Sequence, residues 1–61
     1  MLLNMMRLKE LVNKGDFIKV YKQSKVLYIG YTNFINKDVL ENKVSTSLGH
    51  YDIYQQVYII E

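Results

Sequence analysis

The chain has 61 residues and a net charge of +2, and it contains no cysteine, proline or tryptophan. A chain this short buries only about 60% of its unfolded surface, and it forms one small domain, residues 1–61. Disulfides are excluded, and a single histidine argues against a structural zinc site. Because 49% of the residues are hydrophobic, we expect apolar surface for both a core and an interface, and therefore a homodimer.

Composition also points to an origin and a compartment. Phe, Tyr, Met, Ile, Asn and Lys make up 29 of the 61 residues, whereas Gly, Arg, Ala and Pro make up 4. The first group has AT-rich codons, which indicates the AT-rich genome of a low-GC bacterium or one of its phages. No apolar run approaches the ~20 residues of a membrane-spanning helix, and no signal peptide is visible. We therefore expect a cytoplasmic protein with no membrane partner.

The first half of the chain predicts a helix followed by a β-hairpin. Residues 2–14 carry apolar side chains at helical spacing, and Gly15 follows the last turn. Residues 17–22 alternate as a strand. Residues 26–31 return as a second strand that is apolar on both faces, which predicts a central place in the sheet. Gly30 within this strand indicates a bulge or close packing.

The second half of the chain predicts a short helical turn and two strands. Asn36 can cap a turn over residues 37–41, and residues 44–48 alternate as a half-exposed strand. A turn at Gly49 leads to a last strand over residues 51–60. The order α-β-β-(short α)-β-β predicts an α+β fold. We expect the N-terminal helix to pack on a four-stranded, mostly antiparallel sheet.

Residues that could carry catalysis are few. His50 is the only histidine, and it stands with Asp52 beside a predicted turn that has no surrounding structure to exclude water. The carboxylates are scattered, and the glycines form no phosphate-binding motif. A solvated turn is therefore the better interpretation of His50. We expect no enzymatic activity, no catalytic residue, no bound metal and no cofactor.

Tyrosine is the residue that favours a protein interface, because it combines a large apolar area with a polar tip. Tyr21 lies at one of the alternating positions of the first predicted strand. Tyr54 and Tyr58 are predicted to share one face of the last strand. Leu3 and Met6 lie off the helical stripe and either extend this contact surface or belong to an N-terminal extension. These five residues are our candidate contact residues. The alternative is ordinary strand composition, inflated by AT-rich codons.

Lysines around the first hairpin support a second hypothesis. Lys19, Lys22 and Lys25 cluster near Tyr28, and basic groups beside aromatic rings are typical of proteins that bind single-stranded nucleic acid. A net charge of +2 with one arginine is low for that class. A nucleic-acid-binding regulator that uses these four residues is therefore the alternative to a protein-binding module.

A pattern of residue types covers most of the chain: KELV at 9–12, then segments at 16–21, 28–30, 37–40, 44 and 58–60. This order resembles that of small accessory proteins of low-GC Gram-positive phages and prophages. The resemblance implies a protein that binds and blocks a host or defence-system protein, as anti-CRISPR and other anti-defence proteins do. It carries over no binding residue. A virion assembly component is a third possibility, and the mildly basic charge disfavours DNA mimicry.

Overall fold

The computed structural model of the chain describes residues 5–61, and it has an α+β fold with one four-stranded sheet. The fold class predicted from the sequence is confirmed. The elements in chain order are α1 (Leu8–Leu11), β1 (Phe17–Lys22), β2 (Lys25–Tyr31), a 3₁₀ turn (Thr32–Phe34), α2 (Lys37–Leu40), β3 (Val44–Tyr51) and β4 (Tyr54–Ile60). No helix among residues 5–61 is long and apolar enough to cross a membrane.

The strands of the sheet lie in the order β2-β1-β4-β3. β1 pairs with β2 and β3 pairs with β4 in antiparallel orientation, whereas the central strands β1 and β4 run parallel. Parallel neighbours need a long crossover connection. The chain makes that crossover through β2, the 3₁₀ turn, α2 and β3. The result is a mixed sheet built from two antiparallel hairpins.

One face of the sheet carries the hydrophobic core. Ile18 and Val20 of β1 and Val44 of β3 are fully buried there, and Leu8 of α1 and Ile35 before α2 join the same cluster. Burying an aliphatic side chain of this size stabilises the fold by about 1.5–3 kcal/mol. Both helices contribute side chains to this cluster. They therefore lie on the same face of the sheet, which we call the core face.

The N-terminal helix is shorter than the prediction of residues 2–14. Three residues of that range lie outside the described chain, and α1 begins only at Leu8. Two backbone hydrogen bonds join this segment to the residues around the start of β3. Leu8 N–H donates to the Asn42 carbonyl at 2.9 Å, and Val44 N–H donates to the Met6 carbonyl at 2.8 Å. Tertiary pairing thus uses backbone groups that a longer helix would need for its own bonds.

The second helical turn lies where the sequence predicts it. α2 spans Lys37–Leu40, and the Asn36 side-chain oxygen accepts a hydrogen bond from Asp38 N–H at 2.7 Å. The predicted N-cap is therefore confirmed, because this bond satisfies a backbone donor that has no partner within the helix. Asn42 closes the turn, since its side-chain amide donates to the Asp38 carbonyl at 2.9 Å.

Two ion pairs on the surface join the two helical segments. The Glu41 carboxylate lies 3.3 Å from Arg7 Nη1 and 3.1 Å from Lys9 Nζ. The hydrogen bond and charge of Lys9, supported by Arg7, hold the pKa of Glu41 below its ordinary value of 4.5. Exposed pairs of this kind contribute little to stability at neutral pH. They do make the junction between α1 and α2 sensitive to acid.

The first hairpin confirms the predicted strand β1 and corrects the position of β2. Gln23 and Ser24 form the turn with φ of 51° and 64°, the positive values of a type I′ hairpin. β2 lies at the edge of the sheet and not at its centre. Four of its apolar side chains are about half exposed: Val26, Leu27, Ile29 and Tyr31.

The second hairpin turns later than the sequence predicts. β3 continues to Tyr51 and the turn lies at residues 52–53 instead of at Gly49. Gly49 has a φ of 73° and stands between two shifts of the β3–β4 register. A glycine with positive φ in a strand is typical of a bulge. The glycine therefore bends β3 instead of ending it.

Candidate protein-contact face

The strand register divides the side chains of the sheet between two faces. Residues paired across a ladder share a face, and Lys19 pairs with Ile29 on β2 and with Val57 on β4. None of these three belongs to the core cluster. They lie on the opposite side of the sheet, which no described helix covers and which we call the open face. Its side chains are Phe17, Lys19, Tyr21, Val26, Ile29, Tyr31, Leu48, Tyr51, Tyr54, Val57 and Ile59.

The open face is apolar and accessible. Tyr51 is 65% exposed, Leu48 54% and Tyr31 52%, and both Val26 and Ile29 are 49% exposed. Single exposed apolar side chains are common on soluble proteins, but a contiguous patch marks an interaction site. Here the exposed apolar side chains belong to the two edge strands, β2 and β3, and lie on the same face of the sheet.

Phe17 connects the aromatic side chains of the open face. Its ring is stacked on Tyr54 with 5.5 Å between centroids, and it meets Tyr31 edge-on at 5.1 Å. Aromatic pairs of this kind contribute about 0.5–1.5 kcal/mol beyond the area that they bury. Strands β2, β1 and β4 therefore present one continuous aromatic row.

Lys19 places a positive charge within this aromatic surface. Its Nζ atom lies 5.0 Å from the ring centroid of Tyr21 and 5.3 Å from that of Tyr54, which is the range of cation–π contacts. Hydrogen-bond interaction with the Tyr21 side chain raises the pKa of Lys19 above its ordinary value of 10.5. The side chain is therefore charged throughout the physiological pH range.

A groove of about 540 Å³ lies on the open face between β1, β3 and β4. Val57, which is 2% exposed, is among its lining residues. The residues that the two hairpin turns contribute are Ser24 and Asp52. Lys19 and Asp52 are its only charged lining residues among those described. The groove is thus largely apolar. It carries one positive and one negative side chain, so its net charge is zero.

Tyr58 does not lie on the open face, and it does not share a face with Tyr54 as the sequence predicted. It is 3% exposed on the core face, and its hydroxyl donates to the Leu11 carbonyl at 3.3 Å. Burial raises the pKa of Tyr58 above 10.0, and the Asp16 carboxylate adds to the shift. The alternation that would place Tyr58 beside Tyr54 is broken at Gln55. The Gln55 Oε1 atom accepts a hydrogen bond from a backbone N–H of β1 at 2.7 Å.

The other four predicted contact residues have different outcomes. Tyr21 and Tyr54 both line the groove of the open face. Met6 is half-buried, its carbonyl accepts a hydrogen bond from the first residue of β3, and it does not line the groove. Leu3 lies outside the described residues. The structure thus brings two of the predicted residues together.

The predicted lysine cluster is divided between the two faces. Lys19 lies on the open face, whereas Lys22 Nζ donates to Asn42 Oδ1 at 3.1 Å on the helical side. Lys25 pairs with Lys22 across the hairpin and is exposed. Tyr28 packs against the core cluster. Three of the four candidate nucleic-acid residues are therefore separated from the aromatic row.

Several residues of the open face are not identified by the sequence analysis. The apolar pattern assigns Ile29 and Tyr31 to a central strand, and Leu48 and Tyr51 fall near the misplaced turn. The signal for the first two is present, because residues 26–31 are apolar at both parities. An edge strand with apolar side chains on both faces has the same pattern as a buried strand, and periodicity alone does not separate them.

The two residues that the sequence analysis considered for catalysis, His50 and Asp52, are both exposed. His50 is an exposed residue of β3, and Asp52 has a φ of 55° in the following turn. Among residues 5–61, no three His, Cys, Asp or Glu side chains lie close enough together to hold a metal ion.

Comparison of the chain with protein-family models, with curated proteins and with solved structures found no match.

Proposed function

We propose that the protein is a non-enzymatic protein-binding module and that the open face is its contact surface. The observation that carries this proposal is a sheet face with apolar side chains at about half exposure, opposite a face on which both helices pack. Removing apolar area from water contributes about 25 cal/mol per Å². Binding of a protein to this face would therefore supply the burial that the chain itself does not.

The face of the sheet is a better contact surface than its edges. Exposed edge strands can pair with another chain, and bulges are one of the devices that prevent this. The β1–β2 register shifts between Val20 and Tyr21, which leaves Leu27 of the β2 edge unpaired. The register of the β3 edge shifts at three places. Both edges are thus irregular, whereas the open face is continuous.

The partner class follows from the resemblance to small phage accessory proteins. That resemblance suggests an inhibitor that binds a host or defence-system protein in the bacterial cytoplasm. A small chain with an uncovered apolar sheet face suits this role. Expression in a phage-infected host, followed by measurement of defence activity, would test this narrower function separately from binding.

A nucleic-acid-binding regulator is the second candidate, because the aromatic row with Lys19 resembles a stacking platform for bases. Charge favours a protein partner instead. The groove carries Asp52 as well as Lys19, and phosphate recognition needs a positive surface. If nucleic acid were the ligand, binding would weaken steeply with salt, and Lys19→Glu would reduce it more than Lys22→Glu.

The binding test compares two exposed apolar residues that are replaced by the same acidic residue. Leu48 lies on the open face, and Phe34 lies on the 3₁₀ turn with 81% exposure. Immobilised protein is exposed to a lysate of a low-GC Gram-positive host mixed with an untagged copy of the chain. We expect the wild type and Phe34→Asp to retain protein and Leu48→Asp to lose it. Retention that disappears on nuclease treatment, or that survives Leu48→Asp, would reject the proposal.

A further inference from the structure

We infer that the open face packs against the open face of a second copy of this chain, around a two-fold axis that places Lys19 of each copy beside Asp52 of the other. This inference rests on the proposed function and names the partner of the same surface.

Lys19 and Asp52 lie in the same groove and the charge of Asp52 acts on Lys19, but neither side chain forms a close ion pair among residues 5–61. Both ion pairs found there involve Glu41 and lie at the helices. Covering an apolar face that carries charges is unfavourable unless each charge gains a close partner of opposite sign. A partner of the open face that places an anion beside Lys19 and a cation beside Asp52 would give each charge such a close partner.

A second copy supplies both charges by symmetry. In a two-fold interface, residue i of one protomer contacts residue j of the other, and j contacts i. An axis that passes between Lys19 and Asp52 forms two identical ion pairs and leaves no charge unmatched. An axis through Lys19 would bring two like charges together, so the position of the axis is determined by the charge pattern.

The area of the open face suits a weak dimer. Four strands of six to eight residues span about 20 by 20 Å at a strand spacing of about 4.8 Å and a rise of about 3.3 Å. Packing two such faces covers about 800 Å² in total, which is the size of weak, transient interfaces. Two sheets can pack face to face about 10 Å apart. We therefore expect a dimer that forms at high micromolar concentration.

Charge reversal tests the pairing through two variants that repel themselves but match each other. In a Lys19→Glu dimer each new carboxylate meets Asp52 of the other copy, and in an Asp52→Lys dimer each new ammonium group meets Lys19. Each variant alone should have a dimer dissociation constant raised by about tenfold, as expected for two reversed surface pairs. In an equimolar mixture, the heterodimer has opposite charges at both contacts and should return to the wild-type association. Lys14→Glu, an exposed loop lysine outside the open face, is the matched control and should behave as wild type.

Sedimentation equilibrium gives the readout, with circular dichroism to confirm that each variant is folded. The expected wild-type mass at high concentration is twice the 7.3 kDa of the monomer. A mixture as dissociated as its components, single variants that associate like the wild type, or a wild type that stays monomeric would overturn the inference. If the wild type is monomeric but retains a lysate protein that Leu48→Asp does not retain, the inference fails. The proposed function then holds with a different partner.

Discussion

At the scale of single residues, the two tyrosines of β4 differ in burial and therefore in what they stabilise. Tyr58 is buried in the core, whereas Tyr54 stacks on Phe17 at the open face. We expect Tyr58→Ala to lower the free energy of unfolding by about 3–5 kcal/mol and Tyr54→Ala to lower it by about 1 kcal/mol. Urea denaturation of the two variants measures both values. Equal losses would contradict the assignment of these residues to opposite faces.

Gly30 is a second residue whose replacement has a specific cost. Its φ is 155°, and a Cβ atom added to it would lie 2.8 Å from the Tyr28 hydroxyl oxygen, which itself donates to the Tyr31 carbonyl at 2.6 Å. Gly49, with a φ of 73°, has open space around it. Backbone strain alone costs about 1 kcal/mol. Thermal and urea unfolding should show Gly30→Ala to be about 1 kcal/mol more destabilising than Gly49→Ala, and the reverse order would refute this account.

At the scale of secondary-structure elements, the cap of α2 is the clearest local determinant. Asn36→Ala removes the side-chain acceptor for Asp38 N–H and should cost about 1 kcal/mol of stability. Asn33→Ala changes the same residue type on the exposed 3₁₀ turn and is expected to fall within about 0.5 kcal/mol of wild type. Chemical denaturation compares them, and indistinguishable midpoints would show that the cap does not stabilise α2.

The junction of α1 and α2 should weaken in acid. Because the folded-state pKa of Glu41 lies below 4.5, its ion pairs contribute stability above the unfolded value, and that stability is lost as the pH falls through the lowered pKa. Glu41→Gln should reduce the difference in unfolding free energy between neutral and acidic solution. Glu61→Gln, at an exposed carboxylate of the last residue, is the control. An acid response unchanged by Glu41→Gln would refute the assignment.

Elements governed by neighbouring residues could be predicted from the sequence, whereas those governed by distant contacts could not. Alternation predicted β1 residue for residue, and Asn36 predicted the start of α2. The length of α1 depends on backbone bonds to the segment before β3, which lies more than 30 residues away. β2 lies at the edge of the sheet because β4 pairs with β1 and not with β2. Neither of these long-range contacts can be recognised from the residues that neighbour the element in the sequence.

At the scale of the whole molecule, the uncovered sheet face gives physical meaning to the high apolar content of a short chain. Tyr54 reaches the open face only because the alternation of β4 is broken at Gln55, whereas Tyr21 could be assigned to its face of the sheet from alternation alone. Leu48 and Tyr51 could not, because bulges in β3 shift the register that would identify their face. The open face is thus a property of the assembled sheet, and it becomes recognisable only when the position of both helices is known.

Site-specific photo-crosslinking in living cells is the most direct test of the claim that the open face is covered by protein. A photoreactive phenylalanine derivative replaces Tyr51 on the open face, and the same derivative replaces Phe34, which is more exposed but lies outside that face. The account predicts crosslinks to protein, either a second copy or another chain, from position 51 and markedly fewer from position 34. Equal crosslinking from both positions, or none from position 51, would contradict it.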